Sequence, residues 1–302
     1  MSARAGKLNR AKPFDYLNVL LMFIMMFIMI YPFWNTIAVS LNDATDSIKG
    51  GIFFFPRMFT LYNYESLFVT NNLVNAFFIS VSKTVIVTLL NVFFSAMVAY
   101  ILSRREFVLK KPFAFFLITT MYLSPGLIPI YFNYRDLSLI NKYWVYIWPN
   151  LLGVFNVIVI RTYIYSLPES LAESARIDGA GDFRIFLRII LPLCKPVLAT
   201  VALWVAVGTW NEWFDTFIFA SSKQELSTLQ YEMMKLLSSS MVQSAAQNQG
   251  AVAAQQGARS TMLTPVSIRS AITIVAALPI IFVYPFLQKY FVAGLHVGGV
   301  KG

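Results

Sequence analysis

Cysteine and histidine are almost missing from these 302 residues, which hold one of each, Cys194 and His296. A lone cysteine excludes an intrachain disulfide framework, and a lone histidine excludes a His-rich metal cluster, so redox and zinc chemistry lack their ligands. Charge is scarce as well, at 13% of residues. No Gly-Lys pair precedes Ser or Thr, so the loop that cradles nucleotide phosphates is absent. Nor does the chain contain a Gly-x-Ser-x-Gly elbow, a His-Glu-x-x-His helix or a Cys/His nucleophile pair. Catalytic residues, bound metal and resident cofactor are therefore not expected in this chain.

What is abundant is apolar sequence, 58% of the total. That composition belongs to polytopic membrane proteins. A span needs about 20 apolar residues to cross roughly 30 Å of hydrocarbon. Stretches of that kind lie near 17–41, 73–102, 113–132, 143–165, 197–220 and 266–288. The expectation is an all-α bundle of six transmembrane helices, preceded by a short tail, 1–16, with both termini on one side. The first stretch follows Arg4, Lys7, Arg10 and Lys12 and is longer than the apolar region of a signal peptide, so it reads as an uncleaved anchor.

Basic residues set the orientation, because Lys and Arg concentrate in cytoplasmic flanks. The tail, the Arg104/Arg105/Lys110/Lys111 turn, the Arg176/Arg184/Arg188/Lys195 segment and Lys289/Lys301 together carry twice as many as the opposite loops. Both termini and the charged segment 166–196 are thus expected in the cytoplasm. The net charge of +10 has the same origin, which removes the case for nucleic-acid binding. Two loops on the outer side are substantial, 42–72 and 221–265. The second holds Gln-, Ala- and Ser-rich sequence over 241–260, a composition typical of flexible connectors. No solenoid-type repeat is evident.

The stretch Glu173–Pro196 interrupts this pattern with charge and glycine. Ser166-Leu-Pro-Glu169 reads as a capping box opening a helix, and Asp178-Gly179 offers a residue free to adopt positive φ where that helix turns. In the second helix Phe183, Phe186, Leu187 and Ile190 fall at i, i+3, i+4 and i+7 and are expected on one face, with Arg184 and Arg188 on another. Pro192 is expected to end it.

Polar residues inside spans are costly and normally face a bundle interior or a watery cavity. Trp210, Asn211, Glu212, Trp213 and Asp215, in Trp-Asn-Glu-Trp-Phe-Asp order, are candidates for a substrate pathway. Indoles stack on sugar rings, and amide and carboxylate oxygens accept hydroxyl protons. Tryptophans at an interface are equally ordinary as anchors. On an ideal helix positions 210, 212 and 213 cannot all face one line. Lys83 and Asn91 in the second stretch are pathway candidates too, with interhelical contacts as the alternative. Arg161 reads as snorkelling to the cytoplasmic surface.

Glu173, Ala175, Asp178, Gly179, Ala180, Phe183, Leu191 and Pro192 stand at the positions of the EAA loop of binding-protein-dependent ABC importers, with Ser174 replacing the usual middle alanine. The ending Tyr284–Gly294 with Gly298–Gly302 is similar to that of carbohydrate importer permeases. So are Gly50–Pro56 and Tyr62-Asn-Tyr64, particularly to those taking up polysaccharide-derived oligosaccharides. This resemblance implies a type I ABC importer permease fold with a cytoplasmic coupling helix, in a bacterial cytoplasmic membrane. It implies a second permease subunit, two ATPase subunits that hold ATP and Mg, and an extracytoplasmic binding protein that delivers sugar. Glu173, Ala175, Asp178, Gly179, Ala180, Phe183, Phe186, Leu191 and Pro192 would then couple to the ATPase. Other readings remain: a permease for amino acids, peptides or ions, an ion-coupled secondary transporter, which should show repeated halves and buried ion ligands, and a membrane enzyme.

Overall fold

The computed structural model describes residues 13–70, 72–248 and 264–297. The basic tail before Pro13, the stretch 249–263 of the Gln/Ala/Ser-rich segment and the closing Gly298–Gly302 lie outside the described residues. The described residues form helices, turns and one isolated β-bridge, and the chain falls into two compact units.

One unit runs through Leu67 and includes 239–275. It opens with α1 (Pro13–Ser40), a Leu-, Ile-, Met- and Phe-rich helix with Asp15 in its first turn. Proline costs little at a helix start, and an acidic side chain there complements the helix dipole. After Ser40 the chain turns sharply into α2 (Ala44–Ser47), whose N-terminus is capped by the Asp43 carboxylate. Asn42 ties the loop together, accepting from the Met58 N–H at 2.8 Å and donating to Asp46 and Ser47. Arg57 pairs with Asp46 at 2.8 Å. The hydrogen bond from Asn42, together with Arg57, holds the Asp46 carboxyl below its ordinary value. From Asn63, at the start of α3 (Tyr62–Thr70), the side-chain amide donates to the Ser40 and Asn42 carbonyls, both at 2.9 Å. The loop 42–61 is therefore a fixed structure.

The other unit covers Phe68–Ser238 with residues from Ala276 onward. Its axis is α4 (Leu73–Ser103), apolar nearly all round and packed against α7 and α11. Ala76, Ser80, Lys83, Val87, Asn91 and Ser95 recur at helical spacing and are all buried. That stripe is small or polar because it meets neighbouring helices, while lipid-compatible residues cover the rest. Next come α5 (Lys110–Tyr122), α6 (Leu127–Asp136), α7 (Val154–Ile164), α8 (Ser170–Ile177) and α9 (Asp182–Ile185). A π turn (Phe186–Ile190) leads to α10 (Leu191–Leu193), α11 (Lys195–Asn211), α12 (Phe214–Phe219), α13 (Leu229–Asn248) and α14 (Pro265–Val297). The main core joins Ala96 and Ala99 of α4 to Ile160 of α7, Phe186 and Val201.

The six apolar stretches are present, but among the described residues only α1 and α4 are continuous helices long and apolar enough to cross a membrane. Residues 113–132 do not form a single straight crossing: α5 and α6 meet at 115°, broken at Leu123-Ser-Pro-Gly126, where Gly126 takes φ +84°. The stretch 143–165 bends by 43° between two 3-10 turns and α7. That at 197–220 divides at Glu212, which is extended rather than helical. Part of the segment 221–265, expected as an outer loop, is helical, since α13 continues to Asn248, inside the stretch expected to be a connector.

Candidate functional site

The coupling candidates form a rigid turn. Helix α8 ends in a Schellman motif: the Gly179 N–H donates to the Arg176 carbonyl and the Ala180 N–H to the Ala175 carbonyl, each at 2.9 Å. Gly179 has φ +78° with open space where a Cβ would lie, so backbone conformation and not crowding calls for glycine. Glu173, Asp178 and Phe183 are exposed, Phe183 by 60%, and Ile177 by 87%. Ala175 and Ala180 are half-buried beneath them.

Ion pairs that sequence reading missed hold this turn. Arg176 bridges Asp182, at 2.9 Å, and Glu106. Arg104 lies 3.6 Å from Glu106 and 3.8 Å from Asp182. Arg105 meets Glu169 at 2.6 Å. The Arg104-Arg105-Glu106 triplet was the available signal, but its partners lie more than sixty residues away and spacing cannot select them. The same contacts explain why the expected capping box is not formed. Glu169 is spent on Arg105, Ser166 donates to the Tyr163 carbonyl at 2.7 Å, and α8 starts only at Ser170.

The second arm also departs from expectation. Ile185, Phe186 and Ile190 are buried, whereas Phe183 and Leu187 are exposed, so the four expected positions do not share a face. In the π turn the Leu191 N–H reaches back to the Phe186 carbonyl, adding a residue to the turn and rotating the register. Pro192 does not end the helix. Its missing N–H follows the wide turn, Leu191–Leu193 stays helical, and the 81° bend comes at Cys194. Phe186 is the anchor, 5.6 Å from the Tyr100 ring and 5.9 Å from that of Phe93. Leu191 is half-buried and Pro192 exposed.

The pathway candidates separate into three places. Lys83, 1% exposed, donates to the Glu212 carbonyl at 3.3 Å and lies 4.8 Å over the Tyr146 ring. It thereby satisfies a carbonyl near the break in the fifth stretch, and it interacts electrostatically with Asp215 and Glu212. The Glu212 carboxylate accepts the N–H of Phe214, the first residue of α12, at 2.9 Å. Helical-wheel reasoning across 210–213 fails at this break. Trp213 packs edge-on against Phe214 and tilted against Phe217, and Asn211 donates to the Val207 carbonyl. Trp210 turns elsewhere, donating to the Ala276 carbonyl at 3.2 Å and packing on Phe77. It lines an apolar pocket of about 330 Å³ together with Thr84, Leu203 and Pro279. Asn91 joins α4 to the segment before α7, donating to the Asn150 carbonyl at 2.7 Å and accepting from Asn156 at 2.8 Å. Arg161 donates to the Tyr165 hydroxyl. Among the described residues no group of His, Cys, Asp and Glu is arranged to hold a metal ion.

Comparison with known proteins sets this geometry in context. Residues 112–297 match the family model described as "Binding-protein-dependent transport system inner membrane component". The chain is 33% identical to the polygalacturonan/rhamnogalacturonan transport system permease protein YtcP of Bacillus subtilis, over 93% of this chain and 96% of that protein. It is 36% identical to Protein LplC of the same organism, over 96% and 95% of the two chains. A solved structure of a bacterial ABC transporter involved in the import of the acidic polysaccharide alginate superposes with TM-score 0.78 at 26% identity, covering 96% of this chain and 99% of that one.

Proposed function

The chain belongs to the family of binding-protein-dependent transport system inner membrane components, and from that premise we propose that it is a permease subunit of an ATP-driven carbohydrate importer. Its cargo is an oligosaccharide released from a polysaccharide, in keeping with the substrates named for its relatives. The working assembly pairs this chain with a second permease, two ATPase subunits and an extracytoplasmic sugar-binding protein. ATP and Mg belong to the ATPase subunits, and this chain carries no catalysis. Both termini and the 166–196 segment face the cytoplasm, following the excess of basic residues there.

The observation that carries the coupling role is the Gly179 turn, with Ile177 and Phe183 exposed on it and its arms cross-braced by Arg176. A partner gripping α8 moves a stiff unit. The braces on Arg104 and Glu106 carry that motion to the end of α4, and α9 with α10 carries it into α11. A docked partner drives such a change only if it binds one arrangement more tightly than the other. Near the sugar path, Glu212, Trp213 and Asp215 sit where the fifth stretch loses its helix, and Lys83 holds that break in place.

Purifying the intact complex with its binding protein and measuring ATP hydrolysis against a panel of glycans tests the cargo. Stimulation by polysaccharide-derived oligosaccharides is expected. Stimulation by amino acids or peptides, with none by glycans, would refute the carbohydrate assignment.

A further inference from the structure

The geometry points to a lipid-binding wedge formed by Ile52-Phe53-Phe54-Phe55, folded back along α1 and seated in the bilayer interface. After α2 the chain reverses at Gly50 and Gly51, both at positive φ, +69° and +74°. Four uncharged residues then run beside α1 before Pro56 and Arg57 lead away. Phe53, Phe54 and Phe55 are 62%, 47% and 73% exposed. An apolar triplet so exposed in a loop otherwise bound by Asn42, Asp46 and Arg57 needs a partner.

Depth identifies the partner. Helix α1 has 28 residues, about 42 Å at 1.5 Å per residue against a hydrocarbon layer of about 30 Å. The Phe54 ring lies 5.6 Å from that of Tyr31 and 6.5 Å from that of Phe27. Those residues sit about 13 and 20 Å down the axis from Ser40. Phe55 packs edge-on against Trp34 at 6.4 Å. The triplet therefore reaches the level of the acyl boundary and not the water beyond the helix end. It continues the surface of α1, whose most apolar window, mean hydropathy 2.1, has none of its residues buried.

The backbone chemistry agrees. Main-chain carbonyls brought to that depth need donors from protein. The Asn35 amide donates to the Ile52 carbonyl at 2.6 Å and to that of Phe53 at 3.2 Å, and the Trp34 indole donates to the Phe54 carbonyl at 2.7 Å. Three consecutive carbonyls are thus supplied from α1 itself. Lys49 and Arg57 flank the excursion and can stay at headgroup level while the phenyl rings enter.

Site-directed spin labelling tests this, in the full chain assembled with its partners in nanodiscs, where both faces are open and membrane sidedness does not enter. Single cysteines go in as Phe53→Cys, Phe54→Cys and Phe55→Cys, with Lys49→Cys as the water-facing control. Native Cys194 is 1% exposed, and the assembly with the unsubstituted chain, labelled in parallel, gives the background. Oxygen partitions into acyl chains and a water-soluble nickel chelate stays in water, so a ratio of oxygen to nickel collision about tenfold higher at position 54 than at 49 is expected. Nickel-dominated collision at 53–55, as at 49, would place the loop in water, open to a binding protein, and overturn the proposal. Low collision with both reagents would mean cover by protein and overturn it equally. Should the cysteine variants fail to assemble, a photoactivatable phospholipid on the wild-type complex decides instead, with adducts expected within residues 52–55 and their absence contradicting the wedge.

Discussion

Arg176 and Asp182 meet at 2.9 Å across the turn that contains Gly179, joining the last turn of one helix to the first residue of the next. The same guanidinium reaches Glu106 in the turn after α4. An exposed ion pair alone contributes little, but a shared network fixes geometry. Arg176→Gln is expected to leave the complex assembled and to lower sugar uptake several-fold, because the turn persists while its brace to α4 is lost. Uptake measured against the amount of complex in the same membranes checks this, and unchanged uptake would remove the network from coupling.

Lys83 is the one buried cation among the described residues of α4. Lys83→Met keeps the length of the stem and leaves the Glu212 carbonyl without its donor, a cost of about 1–3 kcal/mol for an unsatisfied buried group. A lowered midpoint for thermal unfolding of the detergent-solubilised complex is expected. An unchanged midpoint would show that water or another group already serves that carbonyl.

The Glu212 carboxylate accepts one exposed backbone N–H, that of Phe214, and a hydrogen bond of this kind contributes about 1 kcal/mol. Glu212→Ala is therefore expected to preserve assembly while lowering the maximal rate of sugar transport, because a half-buried carboxylate is removed from the proposed sugar path. Measuring assembled complex and flux on the same membranes separates the roles. Lost assembly would make Glu212 structural, and normal flux would dismiss both.

How much of this was legible in the sequence depended on the range of the interaction. The Asp178-Gly179 turn was readable because the demand for positive φ is local to one residue. The π turn at Phe186 was not, since an ideal period of 3.6 assumes every N–H reaches back four residues and Leu191 reaches back five. The bond from Lys83 to Glu212 joins residues 129 apart, so composition flagged both side chains without pairing them. Glu169 shows the converse: a local pattern read as a capping box does not form one, because its carboxylate goes to Arg105, a competitor visible only in three dimensions.

In the loop 42–61 acid should act through Asp46. Its folded-state value lies below the ordinary 3.8, chiefly through the hydrogen bond from Asn42 and then through Arg57. A depressed carboxyl contributes stability that is present above the unfolded-state value and lost as pH falls through the folded one. Hydrogen exchange of residues 42–61 is expected to be steady near neutrality and to quicken only below about pH 4 once intrinsic rates are divided out. Asp46→Asn should abolish that acid step. Acid loosening that persists in the variant would assign it elsewhere, with Asp43 the next candidate.

Gly179→Pro tests the central claim most directly, that this chain transmits work from a docked ATPase through the turn between α8 and α9. Proline cannot reach φ +78° and removes the N–H that donates to the Arg176 carbonyl, while no span changes its hydrophobicity. Sugar uptake is measured alongside the quantity of inserted protein. The account predicts normal insertion with uptake abolished; wild-type uptake by a well-inserted Gly179→Pro chain would contradict it.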